Sequence, residues 1–355
     1  MHYIIKSPIL FLLALSLTTS CKGDATAPDE DTYPYPEGKI FFDNLPLDIN
    51  QVESFTGLGE LNVFPKDHGG FFIPMSLRGA STIPVMAVAD GKITGLRFET
   101  RENGDEDYGI SIKVSTTILV SYAHVDALSD EVLAAAGPLE RGYAIHNSVN
   151  IEVKAGQVIG FIGERGAMDF QIWDDEVEAD YISKERYPIP MLKTGYYFDY
   201  YEGAVKSQFL AVTERQIEPR GGRTNYDIPG RIIGNWFLEA EVAPGEFGDW
   251  DAHLAIAYGH IRADRIAIAD AYNRRFGPPV NEIKWVKGNA PKPEDIGMAN
   301  GLVKYDLIFR YSDDSVFGAF LIQMLEQNRI KVEVFENETA ETVMGFTENA
   351  RIYVR

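Results

Sequence analysis

Residues 153–163 read Val-Lys-Ala-Gly-Gln-Val-Ile-Gly-Phe-Ile-Gly, and residues 164–173 continue Glu-Arg-Gly-Ala-Met-Asp-Phe-Gln-Ile-Trp. The apolar run Val158–Ile162 is short, β-branched and aromatic, and glycines bound it. Such a run predicts a short buried strand. The residues after it give a second strand of the form x-x-x-Phe-x-Ile. Upstream, Pro84-Val-Met-Ala-Val-Ala, then Asp90-Gly91, then Lys-Ile-Thr-Gly-Leu-Arg read as strand, tight turn, strand. A second pair follows at Tyr108–Val114 and Thr117–Tyr122, preceded by a polar hairpin tip at Arg101–Asp107. Long helical periodicity is absent. The expected fold is mainly β, with antiparallel strands and Gly-rich corners.

Three pieces of this region occur in one order: Phe64-Pro-Lys-Asp-His-Gly-Gly-Phe-Phe with His68, then Ser121-Tyr-Ala-His-Val with His124, then residues 153–173. Together they resemble the β core of the lysostaphin/LytM zinc endopeptidases, across about 110 residues. The resemblance implies a duplicated-hybrid-motif sheet with a zinc groove. In that family the first motif is His-x-Gly-x-Asp and the last is His-x-His. Its first His, the Asp and the final His bind zinc, and the other His with that of Tyr-x-His activates water. Such a zinc needs three protein ligands and an open position for water.

Carried over residue by residue, His68 and Gly70 fit the first motif, but Phe72 stands at the Asp position. Tyr122 and His124 fit Tyr-x-His. In the last motif Ala167 takes the place of the catalytic histidine and Asp169 that of the zinc-binding one. The ligand count is therefore one short, and no zinc or other cofactor is expected. His68, His124 and Asp169 remain as groove candidates, with Tyr122, Trp173 and Trp236 as possible ligand-binding residues. His146, His253 and His260 form no metal-binding spacing. Ser76 and Ser121 show no paired base. The acidic run Asp174–Asp180 lacks a calcium-loop spacing and reads as solvated.

At the other end of the chain, Lys6 precedes an apolar run Ile9–Leu17, small residues, and the lone Cys21. This reads as a secretory signal, and the placement of the cysteine resembles a lipoprotein lipobox. An ordinary signal peptide with an incidental cysteine is the other reading. Residues 1–20 are then the signal and 21–38 an acidic, Pro/Gly-rich tether. One cysteine excludes a disulfide framework. A formal charge of -20 argues against nucleic acid as a partner.

The expected organisation is a LytM-like β domain at 39–180, an irregular connector at 181–230, and a second β-rich barrel or sandwich at 231–355. Gly234-Asn235-Trp236 opens that last region and resembles the first strand of lipocalin-type barrels. A short helix is expected at 263–275. The reading is a lipid-anchored bacterial envelope protein, facing the periplasm or the cell surface. Its peptidase-like domain would bind peptidoglycan, another envelope glycan or a partner protein. Two alternatives stand beside it. One is an active metallopeptidase rebuilt around His68, His124 and Asp169. The other is a carbohydrate-binding C-terminal domain using Trp236, Trp250 and Trp285.

Overall fold

A computed structural model describes residues 32–355 except 81, 102, 272–282 and 310–314. The signal and Cys21 lie outside the described residues. Ten strands build the first half: β1 Ser54–Thr56, β2 Gly69–Phe72, β3 Ile83–Met86, β4 Gly91–Thr100, β5 Glu106–Lys113, β6 Ile118–Val125, β7 Ala127–Leu128, β8 His146–Val153, β9 Val158–Ile162 and β10 Ala167–Asp174. Seven form an antiparallel sheet in the order β1-β2-β10-β6-β5-β4-β8, and three form a second sheet, β3-β9-β7. The expected hairpin at Asp90-Gly91 is a corner instead. β3 pairs with β9, while β4 crosses to the large sheet. The run 158–162 thus lies in the small sheet, where Gly160 is required. A Cβ there would stand 2.7 Å from both Ala127 O and a Val125 methyl.

The two sheets enclose one apolar core. Along β10, Met168, Phe170 and Ile172 are buried, while Ala167, Asp169, Gln171 and Trp173 are half-exposed. β6 alternates in the same way, with Val120 and Tyr122 inward and Leu119, Ser121 and Ala123 outward. Register pairs Asp169 with Ala123, Gln171 with Ser121 and Trp173 with Leu119, which makes one continuous open face.

The second half is a closed barrel of eight strands: β11 Gly234–Leu238, β12 His253–Tyr258, β13 Ile266–Asp270, β14 Ile283–Val286, β15 Leu302–Ile308, β16 Val316–Glu326, β17 Arg329–Glu336 and β18 Arg351–Val354. Each strand pairs with the next, and β18 returns to β11, so no edge is left open. Ile266–Asp270 replaces the expected helix within 263–275, because β-branched residues alternating with alanine pair on both sides; residues 272–275 lie outside the described residues.

Residues 181–230 are not a bare linker. Tyr197, Phe198, Tyr200, Tyr201 and Phe209 bury in the first core. Tyr181, Tyr187 and Met191 bury in the barrel core, joined there by Leu61, Val63 and Phe64 from the N-terminal side. The segment includes α2 Ile189–Leu192 and α3 Gly203–Val212, after α1 Asp130–Ala136 in the first half. Its aromatic side chains carry too much apolar surface to stay in solvent. Residues 35–355 accordingly form one compact unit.

Two expected ligand-contacting residues are core residues. Tyr122 is 0% exposed, and its hydroxyl accepts from Val88 N–H at 3.1 Å. Trp236 is also 0% exposed; Nε1 donates to Ile232 O at 2.8 Å and the Arg355 guanidinium lies 3.8 Å from the ring centroid. Trp285 is buried as well, so the tryptophans of the barrel do not share an exposed glycan-binding face.

Candidate functional site

β2, β10 and β6 lie side by side, so the three sequence pieces meet at one end of the open face. Tyr197 of the connecting segment fastens them. Its hydroxyl accepts from Gly69 N–H and donates to Phe170 O, each at 2.5 Å. Phe72 sits opposite Ala167 in the register, so two positions that would carry a ligand and a base face each other as a ring and a methyl.

His124 reaches the site through a β-bulge. Tyr108 pairs with Val125 and Ile110 with Tyr122, which leaves Ala123 and His124 opposite Gly109 alone. Strict alternation would turn His124 toward the core beside Tyr122. The bulged residue instead takes φ +65°, a left-handed conformation that is uncommon outside glycine. The side chain is thereby aimed at the open face. Sequence spacing alone places Tyr122 and His124 on one face; the bulge separates them.

The polar groups form a chain of alternating acidic and basic side chains. His68 Nδ1 donates to Asp67 Oδ1 at 2.9 Å, and its Nε2 lies 3.5 Å from Asp169 Oδ2. The same carboxylate oxygen is 3.3 Å from His124 Nε2. On its other side, His124 Nδ1 lies 3.1 Å from Asp107 Oδ2. Asp107, 1% exposed, also accepts from Arg101 Nε at 2.9 Å and Nη2 at 2.5 Å, with Arg165 Nη1 at 3.5 Å. Arg165 continues to Asp126, whose Oδ2 accepts from Gly163 and Glu164 N–H at 2.7 and 2.9 Å.

The hydrogen bonds to Asp107 and Asp169 raise His124 to a pKa of about 9, against the opposing effect of burial. Burial pulls both carboxyls upward, but His124, joined by Arg101 at Asp107 and by His68 at Asp169, outweighs it, and both stay below the usual carboxylate range. Arg101 Nη2 also stands 2.6 Å from His124 Nδ1. With Nδ1 protonated, both cations converge on the shared Asp107 oxygen; with Nδ1 bare, it accepts from the guanidinium. Two flanking carboxylates favour the proton.

Asp107, Arg101, Arg165 and Asp126 were not singled out by the sequence, which assigns Arg101–Asp107 to a solvated tip. The only signal was a charged residue inside a strand, next to Tyr108. His253 and His260 are core residues, bonded to Phe247 O at 2.7 Å and Leu58 O at 3.0 Å. His146 is exposed on β8. Ser121 lies on the open face and Ser76 in an exposed turn. Asp174 is buried and accepts from the Tyr200 hydroxyl at 2.7 Å, so the acidic run is partly structural.

The zinc implied by the family resemblance does not fit this donor set. Phe72 offers no lone pair at the Asp position of the family motif. His68 and Asp169 remain, one ligand short of a catalytic zinc site. Among the described residues, no group of three or more His, Cys, Asp or Glu side chains is placed to hold a metal ion.

No family model matches the chain, and no curated protein matches it. Among solved structures, it is similar to a zinc-containing peptidase from Vibrio cholerae, with 18% identity and a TM-score of 0.25. That similarity covers 38% of this chain and 37% of the other, so the chain spans just over a third of that relative's length. It is also similar to a point mutant of the catalytic domain of the prophage-encoded M23 protein EnpA from Enterococcus faecalis. There the identity is 13% and the TM-score 0.21, over 40% of this chain and 83% of the other.

Proposed function

We propose that this chain is a lipid-anchored cell-envelope protein, attached through Cys21. In this reading its peptidase-like sheet binds peptidoglycan or a partner protein without zinc and without cleaving it. One observation carries the reading. The imidazole and carboxylate groups at the His68–His124–Asp169 corner are engaged with one another and with Asp107, Arg101 and Arg165. The carboxylates on either side of His124 favour its protonated form, which supplies positive charge there. What the face then offers a ligand is a fixed array of charges and half-exposed polar side chains, which suits recognition of a polar polymer.

The test has three parts, performed on protein purified without chelator: elemental analysis, digestion assays on peptidoglycan and glycyl peptides, and co-sedimentation with purified sacculi. The expected result is substoichiometric zinc, no cleavage, and sedimentation that weakens in His124→Gln. Stoichiometric zinc with cleavage that is lost in His68→Ala and Asp169→Ala would establish the rebuilt metallopeptidase instead.

A further inference from the structure

The open face has a second feature, four residues along β10 from Asp169 and so about 13 Å away. A cleft of about 420 Å³ opens there, between the turn joining β5 to β6, the end of β10, and α2. That volume is within the range of small-molecule sites. Its apolar walls are Trp173, Leu119, Ile189 and Pro190, and its charged lining residues are Lys113, Lys193 and Asp175. Ile189 is 70% exposed, although an isoleucine gains by burial.

Lys193 Nζ donates to Asp175 O at 2.9 Å, which leaves it two further donors. Lys113 Nζ lies 4.7 Å from the Tyr35 ring centroid.

We propose that this cleft binds an acidic saccharide unit, a pyranose bearing a carboxylate. An indole wall suits the apolar face of a sugar ring. Lys113 and Lys193 outnumber Asp175 in the lining and suit a carboxylate, in a protein whose charge of -20 otherwise repels anions. The proposal deepens the polymer-binding reading by naming a sugar subsite on the same face, although the chemistry of the cleft does not depend on the His124 corner.

Titration of the full chain with glucuronic acid, glucose and N-acetyl-alanyl-alanine tests it, read on the indole N–H resonance that Trp173→Phe removes. Glucuronate is expected to shift that resonance, with glucose binding about tenfold more weakly. Lys193→Met should lose about tenfold in glucuronate affinity, the scale of one charge-assisted contact, and Lys287→Met on the barrel none. If Trp173→Phe fails to fold, Lys193→Met still decides. Equal binding of glucose, binding of the peptide alone, or no effect of Lys193→Met would overturn the proposal. Sacculi that sediment with a protein blind to glucuronate would remove the sugar subsite and leave the polymer reading. Glucuronate binding without sedimentation would do the reverse.

Discussion

Asp107→Asn is the most searching perturbation of the charge chain. It keeps the shape of the side chain and removes its charge. Asp107 is 1% exposed and holds Arg101 by two contacts and His124 at 3.1 Å. Raising an imidazole from 6.5 to about 9 corresponds to roughly 3 kcal/mol at 1.36 kcal/mol per pH unit. The His124 side chain is 40% exposed, so screening by solvent reduces this to about 1–2 kcal/mol. Removing one partner of a buried ion pair costs about 3–5 kcal/mol. The asparagine oxygen still accepts from Arg101, which places the expected loss near 3 kcal/mol. The pH dependence has a definite sign. Because the folded pKa of His124 is the higher one, its contribution is full below pH 6.5 and disappears as pH rises through about 9. In Asp107→Asn the pKa of His124 should fall toward the ordinary value, with Asp169 alone still raising it. Urea denaturation between pH 6 and 10 measures the first effect, and the His124 Cε1–H resonance the second. A variant as stable as the parent, or one in which His124 still titrates near 9, would refute the charge chain.

Arg355→Ala should destabilise the barrel by about 3–5 kcal/mol, because its guanidinium covers Trp236 and pairs with buried Asp227 at 3.3 Å; thermal denaturation followed by tryptophan fluorescence checks this. Tyr122→Phe removes one hydrogen bond to Val88 and should cost about 1 kcal/mol without changing sedimentation with sacculi; a binding defect at full stability would return Tyr122 to the site. Limited proteolysis should spare residues 181–230, since their aromatic side chains are buried in both cores; first cleavage inside that segment would contradict the packing. Cys21→Ser should yield an unprocessed or soluble species, and membrane fractionation that matches the parent would exclude lipid attachment.

The sequence by itself determined what depends on local chemistry. Short β-branched runs bounded by glycine are too short for helices and bury on pairing, which makes the chain mainly β. Phe72 and Ala167 are visible without coordinates, and an apolar side chain cannot ligate a metal wherever it lies. The glycine at 160 is visible in the sequence, but the need for it comes from the Ala127 carbonyl across the ladder. Only the tertiary structure decided what depends on non-local packing. Whether strands 83–86 and 91–100 pair with each other or divide between two sheets is set by distant partners. The burial of 181–230 against both cores has no local signature, because aromatic residues mark a core without saying which one. Asp107 reads as part of a polar tip until a bulge on the neighbouring strand turns His124 toward it. A one-residue shift in register reverses the face of every side chain beyond it, and nothing in the sequence marks where that shift occurs.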